Sequence, residues 1–334
     1  MIHTLLASRR PTLGAALLLT GVTTVTLSGC ASDDKTAQDS PASEPRTSAP
    51  PQGVVTRAEA DKILDHYQEV NNKANKARDA SALATVEAAQ LYARSKAGYE
   101  QYSTRSAKGK KALDDPFYYT KRSFYIPPKG NWFAAQAFTT GKNRTFMIFE
   151  KSAATDGSWK KVASLFPQQA LPAPKTQDGL AATADVDTSV GQMAPTGVTD
   201  AVEDLFASGG TKEGKSLSQS NKNAKRILTT HKERGDSLGP KATVNFFPIT
   251  PLHRKTYTLT TSSGVLVIAP LAHKQESLVK TSGLQITPGE SEAVYNKTPR
   301  SVVVDSFQGE TVVHLPLRGK PEIIDYQYAM VDSR

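Results

Sequence analysis

One cysteine in 334 residues rules out a disulfide within the chain, so its fold must be held by apolar burial and hydrogen bonds. The length permits that, because it is enough for one large or two modest domains with real cores. Hydrophobic residues at 38% and charged residues at 22% place the body of the chain among ordinary globular proteins.

The position of that cysteine carries the next constraint. Cys30 ends the stretch Leu27-Ser28-Gly29-Cys30, directly after an apolar run and before a polar, proline-containing tail. Residues 1–10 hold Arg9 and Arg10 and no acid, and the apolar run from Leu13 to Leu27 is 15 residues long. A membrane-spanning helix needs about 20, so residues 1–29 read as a cleaved export signal. The four residues resemble the lipobox of a bacterial lipoprotein precursor. The leader and the tail after it are also similar in style to lipoproteins of high-GC actinomycetes. The resemblance implies a diacylglycerol on the Cys30 sulfur and cleavage between Gly29 and Cys30. It further implies a mature chain held by that lipid on the extracytoplasmic face of the cell membrane. Ser8-Arg9-Arg10-Pro11-Thr12-Leu13 resembles part of a twin-arginine signal, but Thr12 stands where a large apolar residue is expected. The general secretory and twin-arginine routes both stay open.

Residues 30–54 form the next segment. Between Ala31 and Gly53 there is no aromatic or large aliphatic side chain. Such a composition cannot offset its own ordering entropy and predicts a disordered tether, with a root-mean-square span of about 25–30 Å.

From residue 55 the pattern becomes that of a folded α+β protein. Thr56-Arg57-Ala58-Glu59 fits a capping box, followed by Ile63, Tyr67, Val70, Ala74 and Ala77 at helical spacing. Asp79 or Ser81 caps a second helix with the stripe Leu83, Val86, Ala89, Ala93 and Ala97. Four strands then follow over 117–126, 131–140, 144–151 and 158–166. Pro127-Pro128-Lys129-Gly130, Gly141-Lys142-Asn143 and Thr155-Asp156-Gly157-Ser158 serve as their turns. Two helices and a curved antiparallel meander over 55–166 resemble the NTF2-like (cystatin-related) cone, and the resemblance rests on element order. Residues 167–197, with three prolines by Pro174, read as a linker containing one short strand near 180–190.

The second unit, 198–334, starts with a short helix holding Val198, Val202, Leu205 and Phe206, capped by Thr199 or Asp200. A basic helix follows over 220–234, with Ala224, Ile227, Leu228 and His231 on one side. Strands are expected over 242–249, 255–261, 264–269, 275–281, 301–307, 311–317 and 322–331, with Gln308-Gly309-Glu310 as a turn. Helices followed by a meander repeat the order of the first unit. A tandem duplication and a single larger α+β domain wrapped around the first are both compatible with that order.

No chemical constellation stands out. With Cys30 acylated, cysteine catalysis and cysteine-based metal sites are excluded. His66, His231, His253, His273 and His314 include no pair at the three- or four-residue spacing of helical metal ligands. His253, His273 and His314 fall at expected strand ends, where a solvent-facing imidazole is the default. Hydrolase, phosphate-loop and dinucleotide motifs are missing from the sequence. No metal, cofactor or catalytic residue is therefore expected, and the ligand is unknown.

The leading expectation is a non-enzymatic binding or scaffold module at the envelope. The alternative is an NTF2-like enzyme with a small-molecule pocket. In it Asp65 or His66 would act as the acid–base group, and Tyr67 would face the cone. The net charge of +9 falls to +7 when the leader takes Arg9 and Arg10. Outside the membrane that charge points to anionic headgroups or wall polymers rather than nucleic acid. The basic stretches 73–78, 108–111 and 222–234 would carry that attraction, and a membrane-complex protein is a further candidate partner.

Overall fold

The computed structural model describes residues 52–140 and 143–334. Gly29, Cys30, the leader, most of the expected tether, and Gly141 and Lys142 of the expected turn lie outside the described residues.

The first helix forms as its sequence dictates. α1 spans Arg57–Ala77, and the Thr56–Glu59 capping box closes its N-terminus. Its buried side is Ala60, Leu64, Tyr67, Asn71 and Ala74, so Leu64 and Asn71 take positions expected for Ile63 and Val70. The single second helix that was expected is broken in two. α2 (Ala80–Ala84) is capped by Asp79, and α3 (Ala89–Glu100) restarts after a gap. Within that gap Lys161 N donates to Val86 O at 2.8 Å, and Ala88 N donates to Lys161 O at 3.1 Å. Strand-type pairing of residues 86–88 replaces a turn of helix and turns Glu87 inward. α4 (Ala107–Asp114), capped by Ser106, completes the helical part of this half.

Strands β1 (Thr120–Tyr125), β2 (Trp132–Phe138), β3 (Arg144–Glu150) and β4 (Lys160–Leu165) follow as an antiparallel meander in the order β1-β2-β3-β4. These are the four strands the alternation predicted. Their side chains divide between two cores. Phe133, Ala135, Ala137, Met147 and Phe149 point toward α1, while Trp132, Ala134, Phe146, Ile148, Ala163 and Leu165 point the other way. Both faces of this sheet are covered.

The other cover is a second sheet. The expected linker contributes a small hairpin, β5 (Thr176–Gln177) and β6 (Leu180–Ala181). It straps the halves together, since Ala181 N donates to Ile126 O and Thr260 N donates to Ala182 O, both at 2.8 Å. After α5 (Val198–Ala207) and α6 (Lys222–Lys232) come β7 (Ala242–Pro248), β8 (Tyr257–Thr260), β9 (Gly264–Val279), β10 (Val302–Pro316) and β11 (Glu322–Ser333). The sheet order is β11-β10-β9-β7, and β8 pairs with the other end of β9 on the same edge as β7. Thus β7 and β8 are two pieces of one strand line, and helices followed by a four-line antiparallel meander recur in each half, with four helices in the first and two in the second among the described residues.

Leu259, Leu266, Ile268, Val312 and Ile324 meet the inward face of the first sheet, while Val265, Val267, Ala269, Leu271, Val313 and Leu315 pack on α5 and α6. The result is a four-layer α+β arrangement of helices, antiparallel sheet, antiparallel sheet and helices. The stretches read as separate units, 55–166 and 198–334, share the core between the sheets, and the described residues form one compact unit. Strands buried on both faces appear in sequence as unbroken apolar runs, which explains Phe146-Met147-Ile148-Phe149 and Val265-Leu266-Val267-Ile268-Ala269. α3 lies across the flank, against β4, β10 and β11.

Two pairs of expected strands are single long ones. β9 joins 264–269 to 275–281 in 16 residues, and β10 joins 301–307 to 311–317 in 15. Gln308-Gly309-Glu310 is not a turn. Gly309 pairs with Leu271 on one side and Tyr328 on the other, and a Cβ there would stand 2.2 Å from the Gln327 carbonyl oxygen. Glycine is present because β11 approaches closely. Gly309→Ala is expected to cost about 1–3 kcal/mol, the usual penalty for overpacking. A lower midpoint in urea unfolding checks this, and an unchanged midpoint would contradict the close approach.

Candidate functional site

The residues singled out from sequence do not converge. Asp65 is exposed and pairs with Arg122 at 2.7 Å, and His66 is exposed on α1. Tyr67 alone turns inward. Its hydroxyl donates to Glu87 Oε1 at 2.7 Å, and Asn71 Nδ2 donates to the Tyr67 oxygen at 2.9 Å. The Lys161 ammonium sits 3.9 Å from the Tyr67 ring centroid, and burial pushes it down to about 8 against the pull of Glu87. Burial raises the Glu87 carboxyl, with Lys161 opposing the shift. These groups lie in the core beneath α1. Nearby, Arg94 of α3 pairs with Glu310 of β10, and burial lowers the guanidinium to about 10, leaving it charged at neutral pH.

A second buried carboxylate, Glu150, ends β3. It receives Tyr257 Oη and lies 3.1 Å from His253 Nε2 and 3.5 Å from Lys255 Nζ. Burial pushes the carboxyl up, but His253, Ser152, Tyr257 and Lys255 outweigh burial and hold it at about 2. The space beside this cluster, between Gln90, His253, Tyr257 and Glu310, is only about 10 Å³. That accommodates about one water. The sandwich interior at this point is a tie between sheets rather than a ligand chamber.

The roomier place arises where the β7–β8 line is interrupted. β7 ends at Pro248, opposite His273, and β8 begins at Tyr257, opposite Ile268. Between those positions β9 carries Pro270, which has no N–H to donate. Residues 249–256 leave the sheet there, and a groove of about 600 Å³ opens between them and α5. Thr196, Thr199, Asp200 and Glu203 line one wall, and Ile249, Thr250, Pro251, Arg254 and Thr256 the other. Thr199 or Asp200 was expected to cap α5. Instead Gly197 holds the cap position without a side-chain bond, and the Thr199 hydroxyl donates to Pro270 O at 2.9 Å.

Glu203 is the chemically distinct residue of this groove. It is 1% exposed, and its Oε2 lies 2.9 Å from His273 Nδ1. An ionised Glu203 makes Nδ1 the protonated nitrogen. The imidazole is 2% exposed, with the rings of Phe206, Phe246, Phe307 and Tyr328 centred 4.6–5.5 Å away. Glu203 Oε1 is buried and has no hydrogen-bond partner among the described residues. An unmet buried acceptor costs about 1–3 kcal/mol, and more when charged, so this oxygen is a place where a ligand donor would be rewarded.

His273 corrects the strand-end expectation, because it lies inside β9 and is buried. His314 also lies within its strand, with Nε2 3.1 Å from Ser263 Oγ, and His253 serves Glu150. Sequence reasoning missed Glu203, and one signal was present: the acid sits one helical turn past Thr199, on a short helix whose other residues include Val198, Ala201, Val202, Leu205 and Phe206. The basic stretches are partly occupied internally. Lys73 pairs with Glu69, Arg78 with Asp114 and Lys111 with Asp115. Lys232 and Arg234 line a separate open groove with Gly235, Asp236, Gly239, Pro240 and residues 242–245.

Residues 51–334 match the profile of a family described as a domain of unknown function, DUF8094. The chain is also 28% identical over 330 residues to an uncharacterized lipoprotein of Streptomyces coelicolor, an alignment covering 95% of this chain and 93% of that protein.

Proposed function

We propose that this chain, which belongs to the DUF8094 family, is an envelope lipoprotein tethered through Cys30 to the outer face of the cell membrane. Its folded body binds a small ligand in the α5 groove without transforming it. The observation that carries the binding reading is Glu203, a buried carboxylate on the groove wall with one oxygen on His273 and the other unmatched. Two features support the lipoprotein reading: the stretch Leu27-Ser28-Gly29-Cys30 after its apolar run, and the similarity to a chain named a lipoprotein over nearly the full length of both. Binding rather than catalysis is favoured by the setting of His273, whose ring is packed among four aromatic rings and orients Glu203.

The test fills the groove. Thr196 is exposed and lines the groove wall, so Thr196→Trp adds bulk without disturbing the core. A fragment mixture is screened by ligand-observed NMR on the full-length protein in detergent. The wild type should bind a subset, and Thr196→Trp should weaken that subset at least about tenfold, equivalent to 1.4 kcal/mol. Its unfolding midpoint should not change. Fragments that bind both proteins equally would remove the groove from the account.

A further inference from the structure

We infer that the groove's ligand presents a protonated amine to Glu203. This rests on the groove being a ligand seat, and it assigns the chemical class that the seat takes.

The unmatched atom comes first. Glu203 Oε2 is engaged by the His273 imidazole, which leaves Oε1, buried and without a partner among the described residues. An ionised carboxylate accepts hydrogen bonds and donates none, and its strongest partner is a charged N–H. The surroundings select the same sign. Asp200 stands three residues before Glu203 on α5, so both carboxylates lie on one side of that helix and both line the groove. Arg254 is the sole cation among the lining residues. On a chain whose net charge is +9, acids outnumber bases in this groove. A free anion would meet repulsion at Glu203, while an amine would meet attraction in a partly desolvated place.

The remaining lining residues define the rest of the ligand. Thr196, Thr199, Thr250 and Thr256 bring hydroxyl groups, and Pro248, Ile249, Pro251 and Pro270 bring apolar surface. That suits an amine on a short carbon stem. Arg254, on the opposite wall, offers a place for an acidic group at the far end, as in an amino acid. A divalent metal ion is the weaker candidate for the positive charge. Such ions gather several carboxylate or imidazole donors, and no three of these groups among the described residues could hold one.

Three matched probes test the inference by titration calorimetry at pH 7 and low salt on the full-length protein in detergent: butylamine, 4-aminobutanoate and butanoate. The two amines should bind at least tenfold more tightly than butanoate. Glu203→Gln keeps the shape but removes the charge, and should weaken both amines about tenfold while leaving butanoate no weaker. Arg254→Ala should bring 4-aminobutanoate down to the level of butylamine. If Glu203→Gln does not fold, Asp200→Asn at the exposed rim is read instead, with an expected two- to threefold loss for the amines. Butanoate binding as tightly as butylamine overturns the inference, as does amine binding that neither acid substitution weakens. In those cases groove binding that Thr196→Trp abolishes leaves the ligand-seat reading standing. If no probe or fragment of any charge binds the groove, both fall.

Discussion

Arg94→Ala is expected to destabilise the folded body by about 3–5 kcal/mol, the usual result of breaking a buried ion pair by removing one member. Arg94 is 13% exposed on α3, and its partner Glu310 is 4% exposed on β10. The substitution would leave Glu310 buried with no cation, although its Oε1 already lacks a partner. It would also remove a positive charge that favours the ionised form of Glu87. The effect is not confined to one sheet, because α3 packs on β4 of the first sheet and on β10 and β11 of the second. Urea unfolding followed by circular dichroism should show one transition at lower denaturant, since the two halves share the core between the sheets. Replacing both partners, Arg94→Met with Glu310→Leu, should recover much of the loss by exchanging the ion pair for apolar packing. A single-variant shift below about 1 kcal/mol would show that Arg94 is solvated and is not the tie described.

What the sequence made legible follows from how local each feature is. The Thr56–Glu59 box, the Asp79 cap and the first meander depend on residues within a few positions of one another, and the structure contains all of them. The long strands of the second sheet were obscured by chemistry that has two meanings. Gln308-Gly309-Glu310 has the composition of a turn, but its glycine is required by the backbone of Gln327, a neighbour brought in by β11. The break between α2 and α3 was invisible because Val86 and Ala88 gain their strand-type bonds from Lys161, more than 70 residues away.

The groove was illegible for the same reason. A glutamate on a helix ordinarily faces water, and only the pairing with His273, 70 residues on, marks Glu203 as different. The residues that form the opposite wall are a loop because β7 and β8 leave β9 uncovered around Pro270, a fact of pairing rather than of loop composition. Asp65, His66 and Tyr67 illustrate the converse, neighbours in sequence that do not meet in space. Adjacent residues of an α-helix point in different directions, and only Tyr67 reaches the core.

Cys30→Ala has the second large expected effect, and it bears on where the protein works. Each buried methylene of an acyl chain contributes about 0.8 kcal/mol, so a diacylated cysteine holds a chain firmly at a membrane. The charge of the body can add only an attraction that salt screens over about 8–10 Å. Wild-type protein should therefore incorporate radiolabelled palmitate and stay with the membrane fraction through a high-salt wash. The variant should lose the label entirely, and should then either leave the membrane fraction or persist as a longer precursor with its leader uncleaved.

The most direct test of the account is that pair of readings made side by side on wild type and Cys30→Ala. Label and salt-resistant retention at the mature length in the wild type, with label and mature-length retention both lost in the variant, is the predicted result. A variant that keeps the label and remains on the membrane at the mature length would contradict the assignment of Cys30 as the anchor and of the chain as a lipoprotein.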